Sequence, residues 1–266
     1  MNGKIIRLKQ LFQGRNNRTC IVPIDHGATL GAIDGLQNGF DTIGQLVNGG
    51  ANAVVLHKGM LNKVVEYPEL IKGNYLLHLS ASTCLGDFQS LKVSVGSVLE
   101  GVSMGALGIS IHVNLGGQYE PQMLTDFGKI AEECYRYGMP LLAMMYVQGE
   151  HRNAEKIAHA ARLAQEVGAD LVKVDYPGSI EGIQKVVDST QIPILIAGGS
   201  KSNNPEDILV KINDAIIGGA SGVSIGRNVF QHPNPQRVTE AICNLIHHDW
   251  TLEQCIESMN AELLEL

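Results

Sequence analysis

The sequence predicts an α/β protein of the (β/α)8 TIM-barrel class, a parallel sheet closed in a single domain over residues 1–266. Three observations predict it. Eight short apolar stretches recur at intervals of about 20 to 35 residues, nearly all followed by a segment with helical spacing. Polar side chains collect where those stretches end, which is where such barrels carry their chemistry. The first stretch runs into Asp25-His26-Gly27, not the GxGxxG turn that normally opens a doubly wound sheet, the competing architecture.

The elements follow in order. Residues 5–12 form a short amphipathic piece ending in the polar run Gly14-Arg15-Asn16-Asn17-Arg18. Strand one covers 20–25, although Pro23 lacks the amide that a central strand uses. A helix over 41–48 leads to strand two at 53–57, and strand three follows at 76–80. A helix near 98–104 precedes strand four at 108–114. The helix over 124–137 stops at Gly138, and the strong helix over 154–167 stops at Gly168. Between them lies strand five at 140–146, and beyond them strand six at 170–176. A helix at 180–188, strand seven at 193–197, a helix at 205–217 and strand eight at 222–226 complete the set. The tail, 237–266, is helical and carries the single tryptophan, Trp250. No linker, low-complexity segment or further repeat divides the chain.

Composition narrows the function classes. With 44% hydrophobic and 18% charged residues, the chain can bury a sizeable core. The net charge is −7 and no basic cluster stands out, which argues against a nucleic-acid partner. The five cysteines, Cys20, Cys84, Cys134, Cys243 and Cys255, are scattered and form no CxxC pair, so neither a zinc site nor a disulfide framework is expected. No apolar run reaches membrane-spanning length and the N-terminus has no signal region, so no membrane partner and a cytoplasmic location are expected.

The chemistry centres on Asp170-Leu171-Val172-Lys173-Val174-Asp175-Tyr176. Alternation along a strand places Leu171, Lys173 and Asp175 on one face. Burying an ammonium is costly, so a lysine inside an apolar strand is rarely there for packing. Desolvation favours the neutral amine, which can attack a carbonyl and form a Schiff base. The plain alternative is a lysine whose stem lies on apolar surface while its head reaches water. The same alternation turns Leu142, Met144 and Tyr146 inward, and Ile21, Pro23 and Asp25. The complementary sets, such as Val22 with Ile24 and Val172 with Val174, are apolar, as helix-covered faces should be. An Asp, a Tyr and a Lys thus converge on one cavity, with Asp175 either a second acid or a solvated loop residue.

His57, His78 and His112 come from three different strands without an HExxH spacing, so hydrogen-bonded histidines at the barrel mouth are expected rather than a metal site. After strands seven and eight come Ala197-Gly198-Gly199-Ser200-Lys201 and Ser224-Ile225-Gly226-Arg227-Asn228. Loops at these positions commonly hold a phosphate in such barrels, through backbone amides and an arginine. A bare Gly-Gly turn is the alternative. The phosphate device does not specify one reaction, because flavin-binding barrels use it too.

Seven stretches together resemble one family. They are Ile24-Asp25-His26-Gly27, Leu56-His57-Lys58-Gly59, Ser110-Ile111-His112-Val113-Asn114, Ala143-Met144-Met145-Tyr146, Ala169-Asp170-Leu171-Val172-Lys173, Ala197-Gly198-Gly199 and Gly226-Arg227-Asn228-Val229-Phe230-Gln231-His232. The family is the archaeal-type class I fructose-bisphosphate aldolases with the related 2-amino-3,7-dideoxy-D-threo-hept-6-ulosonate synthases. The resemblance implies a Schiff-base lysine at Lys173, a proton donor at Tyr146 and an acid/base carboxylate at Asp25. It implies substrate or phosphate contacts at His26, Gly27, Ala28 and Thr29, at Val147 and Gln148, and at Gly198, Gly199, Gly226 and Arg227.

The implied partners are a phosphorylated ketose and an aldehyde, with no metal and no cofactor. Family members are often decamers, which implies a homo-oligomer. The chain departs from the family at three places. Pro-Arg-Gly after the tyrosine is Val147-Gln148-Gly149 here, Thr-x-Tyr-Thr after the lysine is Val174-Asp175-Tyr176-Pro177, and Gly-Gly-Pro-Lys is Gly198-Gly199-Ser200-Lys201. These changes spare the chemistry and bear on the substrate. The implied reaction joins a dihydroxyacetone-phosphate-type or deoxyketohexose-phosphate donor to aspartate semialdehyde. Fructose-1,6-bisphosphate aldolase activity is the alternative, with a flavin-binding oxidoreductase or a non-catalytic sugar-phosphate binder further off.

Overall fold

The structure, a computed structural model, describes residues 2–14, 16–149 and 152–261. Strands β1 (Thr19–Pro23), β2 (Ala53–Leu56), β3 (Tyr75–His78), β6 (Gly108–Leu115), β7 (Leu141–Val147), β8 (Leu171–Val174), β9 (Ile194–Ala197) and β10 (Gly222–Ser224) close into a barrel. All neighbours are parallel, and β1 pairs with β10 to seal the sheet. Helices between the strands cover the outside, so this is a (β/α)8 TIM barrel.

Each strand splits its side chains between two cores. Ile21, Val55, Leu76, Leu142, Met144, Leu171 and Leu195 fill the inside of the barrel. Val22, Ile24, Ala143, Met145, Val172 and Val174 pack outward beneath the helices. Each fully buried leucine or isoleucine contributes about 1.5–3 kcal/mol. Inside, the columns change from apolar to polar toward the C-terminal end: Leu142, Met144, Tyr146 on β7, and Leu171, Lys173, Asp175 from β8 into its loop. The sheet therefore has an oily floor and a polar mouth.

Helix α1 (Asn2–Leu11) closes the floor. Leu11 and Phe12 join the inner core, which explains why a short amphipathic piece precedes the first strand. Lys4 Nζ donates to Asp170 Oδ2 at 2.9 Å, and the same carboxylate oxygen accepts from Leu141 N at 2.9 Å. Arg7 donates to the Gly138 carbonyl at 3.1 Å.

Helices α6 (Glu120–Tyr137) and α7 (Ala154–Val167) end at Gly138 and Gly168, whose φ angles of 65° and 109° lie in the left-handed region. Helix α6 begins four residues before the apolar periodicity does, in polar sequence with Pro121 in its first turn. Pro23 is the last residue of β1, and the next amide, Ile24 N, carries the ladder to Val55 O at 3.1 Å. The tail is two helices, α11 (Pro235–His247) and α12 (Leu252–Asn260), rather than one. They part where Asp249 takes φ 55° and Thr251 opens a capping box with Gln254. The expected helix over 262–266 and residue Arg15 lie outside the described residues.

Several features were not expected from periodicity. Short helices follow the strands, among them α2 (Gly27–Leu30) after β1 and α10 (Arg227–Phe230) after β10. An antiparallel hairpin, β4 (Ser80–Ala81) with β5 (Val93–Ser94), holds the long loop after β3 against the mouth. Among the described residues, no helix is long and apolar enough to cross a membrane.

Candidate active site

The polar mouth encloses a cavity of about 500 Å³. Strand β8 delivers Lys173, which pairs in register with Met144 on one side and Leu195 on the other and is only 6% exposed. Its Nζ stands 5.9 Å from the centre of the Tyr146 ring, at the end of β7. Asp25 lies just past β1, with its Oδ2 3.5 Å from His78 Nε2 and its Oδ1 3.8 Å from His26 Nδ1. Burial opposes a charge on Asp25. His78, His26, Lys173 and His57 outweigh it and hold the carboxyl well below the usual range.

Loss of water around the mouth histidines disfavours their charged form. Burial pushes His78 down to about 4 against the pull of Asp25, and His112 down to about 3, with Lys92 adding to the effect. His26 and His57 are lowered by burial as well. His78 Nδ1 shares a 2.8 Å hydrogen bond with Ser110 Oγ, and His112 Nε2 shares one of 2.9 Å with Asn114 Oδ1. The His112 ring packs on Tyr146 with centroids 4.7 Å apart. These rings position the phenol and the carboxylate. Among the described residues, no group of three or more His, Cys, Asp or Glu could hold a metal ion.

The loops after β9 and β10 form the opposite wall. Arg227 Nη2 donates to Gly199 O at 3.2 Å, and Asn228 Nδ2 donates to Gly198 O and Ser200 O at 3.1 and 3.0 Å. Asn228 thereby stitches the two loops together, while Lys201 turns away to Gln231 O. Gly226 permits close packing: a Cβ there would lie 2.7 Å from both Pro23 O and the His26 ring. Four buried polar atoms on this cavity, Asp25 Oδ1, His26 Nδ1, Ser224 Oγ and Arg227 Nε, have no hydrogen-bond partner among the described residues. Unpaired buried polar atoms are costly, so their convergence marks a place built for a polar ligand.

Of the residues expected at the site, the structure gathers Asp25, His26, Thr29, Tyr146, Lys173, Gly198, Gly199, Gly226 and Arg227 around the cavity. Gly27 and Ala28 lie on the exposed side of α2 and do not line it. Val147 points outward and packs on the sheet–helix core. Gln148 is exposed, its amide bonded to Leu115 O, beside Gly117. Three polar lining residues were not singled out from sequence: Gln89 and Lys92 from the hairpin loop, and Arg152. Lys92 Nζ donates to Ser82 Oγ at 2.5 Å. Arg152 Nη1 donates to Asp175 Oδ2 at 2.9 Å, which puts Asp175 in the wall rather than in a solvated loop.

Fold and site together define a (β/α)8 enzyme whose mouth sets a buried lysine between a phenol and a carboxylate, the apparatus of a class I, Schiff-base aldolase. Residues 19–232 match the profile of the DeoC/LacD family aldolases, and the chain belongs to that family. It is 42% identical over 250 residues to 2-amino-3,7-dideoxy-D-threo-hept-6-ulosonate synthase of Halobacterium salinarum, covering 93% of this chain and 92% of that protein. It is 38% identical over 251 residues to 2-amino-4,5-dihydroxy-6-oxo-7-(phosphonooxy)heptanoate synthase of Streptomyces griseus, covering 92% and 91%. Among solved structures, an archaeal fructose-1,6-bisphosphate aldolase with its catalytic lysine covalently bound to the carbinolamine intermediate superposes with a TM-score of 0.82. It is 26% identical and covers 92% of this chain and 99% of that one.

Proposed function

We propose that this enzyme is a class I aldolase that joins dihydroxyacetone phosphate to aspartate semialdehyde, giving a seven-carbon 2-amino-6-keto product. The observation that carries it is the placement of Lys173 Nζ in the cavity, near the Tyr146 ring and across from Asp25. The name of the Streptomyces relative describes such a product, with phosphate on C7, ketone at C6, hydroxyls at C5 and C4, and an amino group at C2.

Lys173 attacks the donor ketone, water leaves the carbinolamine, and the resulting iminium draws electrons from the adjacent carbon. Loss of a proton there gives an enamine, whose carbon attacks the aldehyde. Water then releases the product and restores the amine. Tyr146 protonates the departing hydroxyl of the carbinolamine, and Asp25, held ionised, takes and returns protons at the reacting carbon and oxygen. The loops bearing Gly198, Gly199, Gly226 and Arg227 hold the donor phosphate, and His26 and Thr29 close over it.

The donor has a second form. The Halobacterium relative's product is 7-deoxy, which a phosphate-retaining donor would not give directly. A deoxyketohexose phosphate cleaved by the same lysine would transfer a methyl-ketone fragment instead. Incubation of the enzyme with aspartate semialdehyde or glyceraldehyde 3-phosphate, each with either donor, separates the readings. A seven-carbon amino-keto product identified by mass supports the proposal; turnover with glyceraldehyde 3-phosphate alone would reassign the enzyme to fructose-bisphosphate chemistry.

A homo-oligomer fits the exposed apolar side chains Val65, Ile71 and Leu99, which a second copy would cover. Light scattering on the purified protein tests this, and a monomeric mass would exclude it.

A further inference from the structure

We infer that Arg152 and Asp175 form the acceptor-specificity site, an adjacent cation and anion that receive the α-carboxylate and α-ammonium of an amino-acid aldehyde. This deepens the aldolase reading and rests on it. Asp175 follows β8 directly, two residues beyond Lys173 on the same face, so its Cα lies about 6.6 Å further toward the mouth. In a 2-amino-6-keto product held at C6 by Lys173, the amino-bearing C2 lies four bonds, or about 5 Å, along the chain. Lys173 and Asp175 line the same cavity, so a chain of that length held at C6 by the lysine runs its C2 ammonium along the wall that carries the Asp175 carboxylate.

The geometry of the cavity sets the direction. The loops proposed for phosphate follow β9 and β10 on one side of β8, and Arg152 comes from the segment after β7 on the other. A donor with its phosphate at Arg227 thus turns its reactive carbon, and the incoming aldehyde, toward Arg152. Arg152 is held in place: it immediately precedes Asn153, whose side chain accepts from Lys156 N at 3.0 Å and caps α7. Half of the Arg152 side chain remains exposed, whereas Asp175 is 14% exposed. The arginine can swing from Asp175 to a carboxylate without a core to disrupt.

The electrostatics agree with the geometry. Burial raises Asp175 above the usual carboxylate range, with Arg152 and Lys173 opposing. An ammonium arriving from the acceptor supplies the positive charge that Arg152 gives up on engaging the carboxylate. Lys92, a further cation on the cavity, donates to Ser82 Oγ and has no carboxylate bonded to it among the described residues, so it offers nothing to an ammonium beside the anion it would hold.

The test compares three acceptors with a fixed donor. Aspartate semialdehyde carries both charges, succinate semialdehyde lacks the amino group, and propanal lacks both. The kcat/KM ratio of the first to the second reports the ammonium contact, and that of the second to the third the carboxylate contact. Asp175→Asn should collapse the first ratio by about 10- to 100-fold, through KM more than kcat. Arg152→Gln should collapse the second ratio to a similar degree. Equal losses on all three acceptors in both variants, or loss of the second ratio in Lys92→Met but not in Arg152→Gln, would overturn the assignment. Borohydride trapping of the donor alone on Lys173 is measured in parallel. Without an adduct, the aldolase reading fails; with an adduct and unchanged ratios, only the acceptor site fails.

Discussion

Lys173 and Tyr146 occupy neighbouring strands of the barrel, with the lysine Nζ 5.9 Å from the centre of the phenol ring. A carbonyl carbon bonded to that nitrogen would share the cavity with the phenol. Tyr146→Phe keeps the ring packed against His112 and removes the hydroxyl proposed as the proton donor. It should lower kcat by about 10²- to 10⁴-fold while leaving the thermal midpoint nearly unchanged. Steady-state kinetics with calorimetry on the same preparation checks both.

Buried neutral histidines make the fold acid-sensitive. In the folded chain His78 and His112 sit at about 4 and about 3, below the ordinary 6.5. Between those limits the unfolded chain binds protons that the folded chain does not, so stability rises with pH across the window and falls as pH drops below about 6.5. Each histidine contributes a slope of about 1.4 kcal/mol per pH unit. Asp25, depressed in the fold, adds a further loss as pH falls through the ordinary carboxylate range. Urea unfolding from pH 7.5 down to 4.5 should show the slope, and His112→Gln should reduce it by one proton.

Asp170 latches the N-terminal helix and the start of β7 to the floor, far from the cavity. Asp170→Ala strands the Leu141 amide and frees Lys4. It should cost about 1–3 kcal/mol of stability and leave the KM for donor within twofold. A denaturant titration and donor saturation curves test the separation.

Gly226→Ala tests the loop wall. A methyl group there meets Pro23 O and the His26 ring at 2.7 Å, and the Pro23 carbonyl belongs to the barrel and cannot yield. The loop must shift instead, carrying Arg227 with it. The donor KM should rise at least tenfold, with a stability loss of about 1–3 kcal/mol. A normal donor KM would detach this loop from phosphate binding.

How much of this was legible in the sequence follows from the physics of each element. Lys173 stood out because a lysine inside an apolar strand is rare in packing terms, and alternation alone turned Tyr146 and Asp25 toward it. Helices α7 and α8 (Ile180–Asp188) matched the expected spans because their apolar spacing coincides with their caps. The hairpin carrying Gln89 and Lys92 stayed hidden because strands of two residues have no period to detect. Arg152 sits before a helix cap, where neither alternation nor helical spacing assigns a direction. Gly27 and Ala28 fall on the outer side of α2 while Thr29 faces in, a distinction that four residues of sequence do not encode.

The most direct test of the chemistry is borohydride reduction of the enzyme in the presence of dihydroxyacetone phosphate, followed by peptide mass spectrometry. The predicted result is a donor-derived mass on Lys173, absent from Lys173→Met. A reduced adduct on Lys92 instead, or none on any lysine under conditions where the enzyme turns over, would contradict a Schiff base at Lys173.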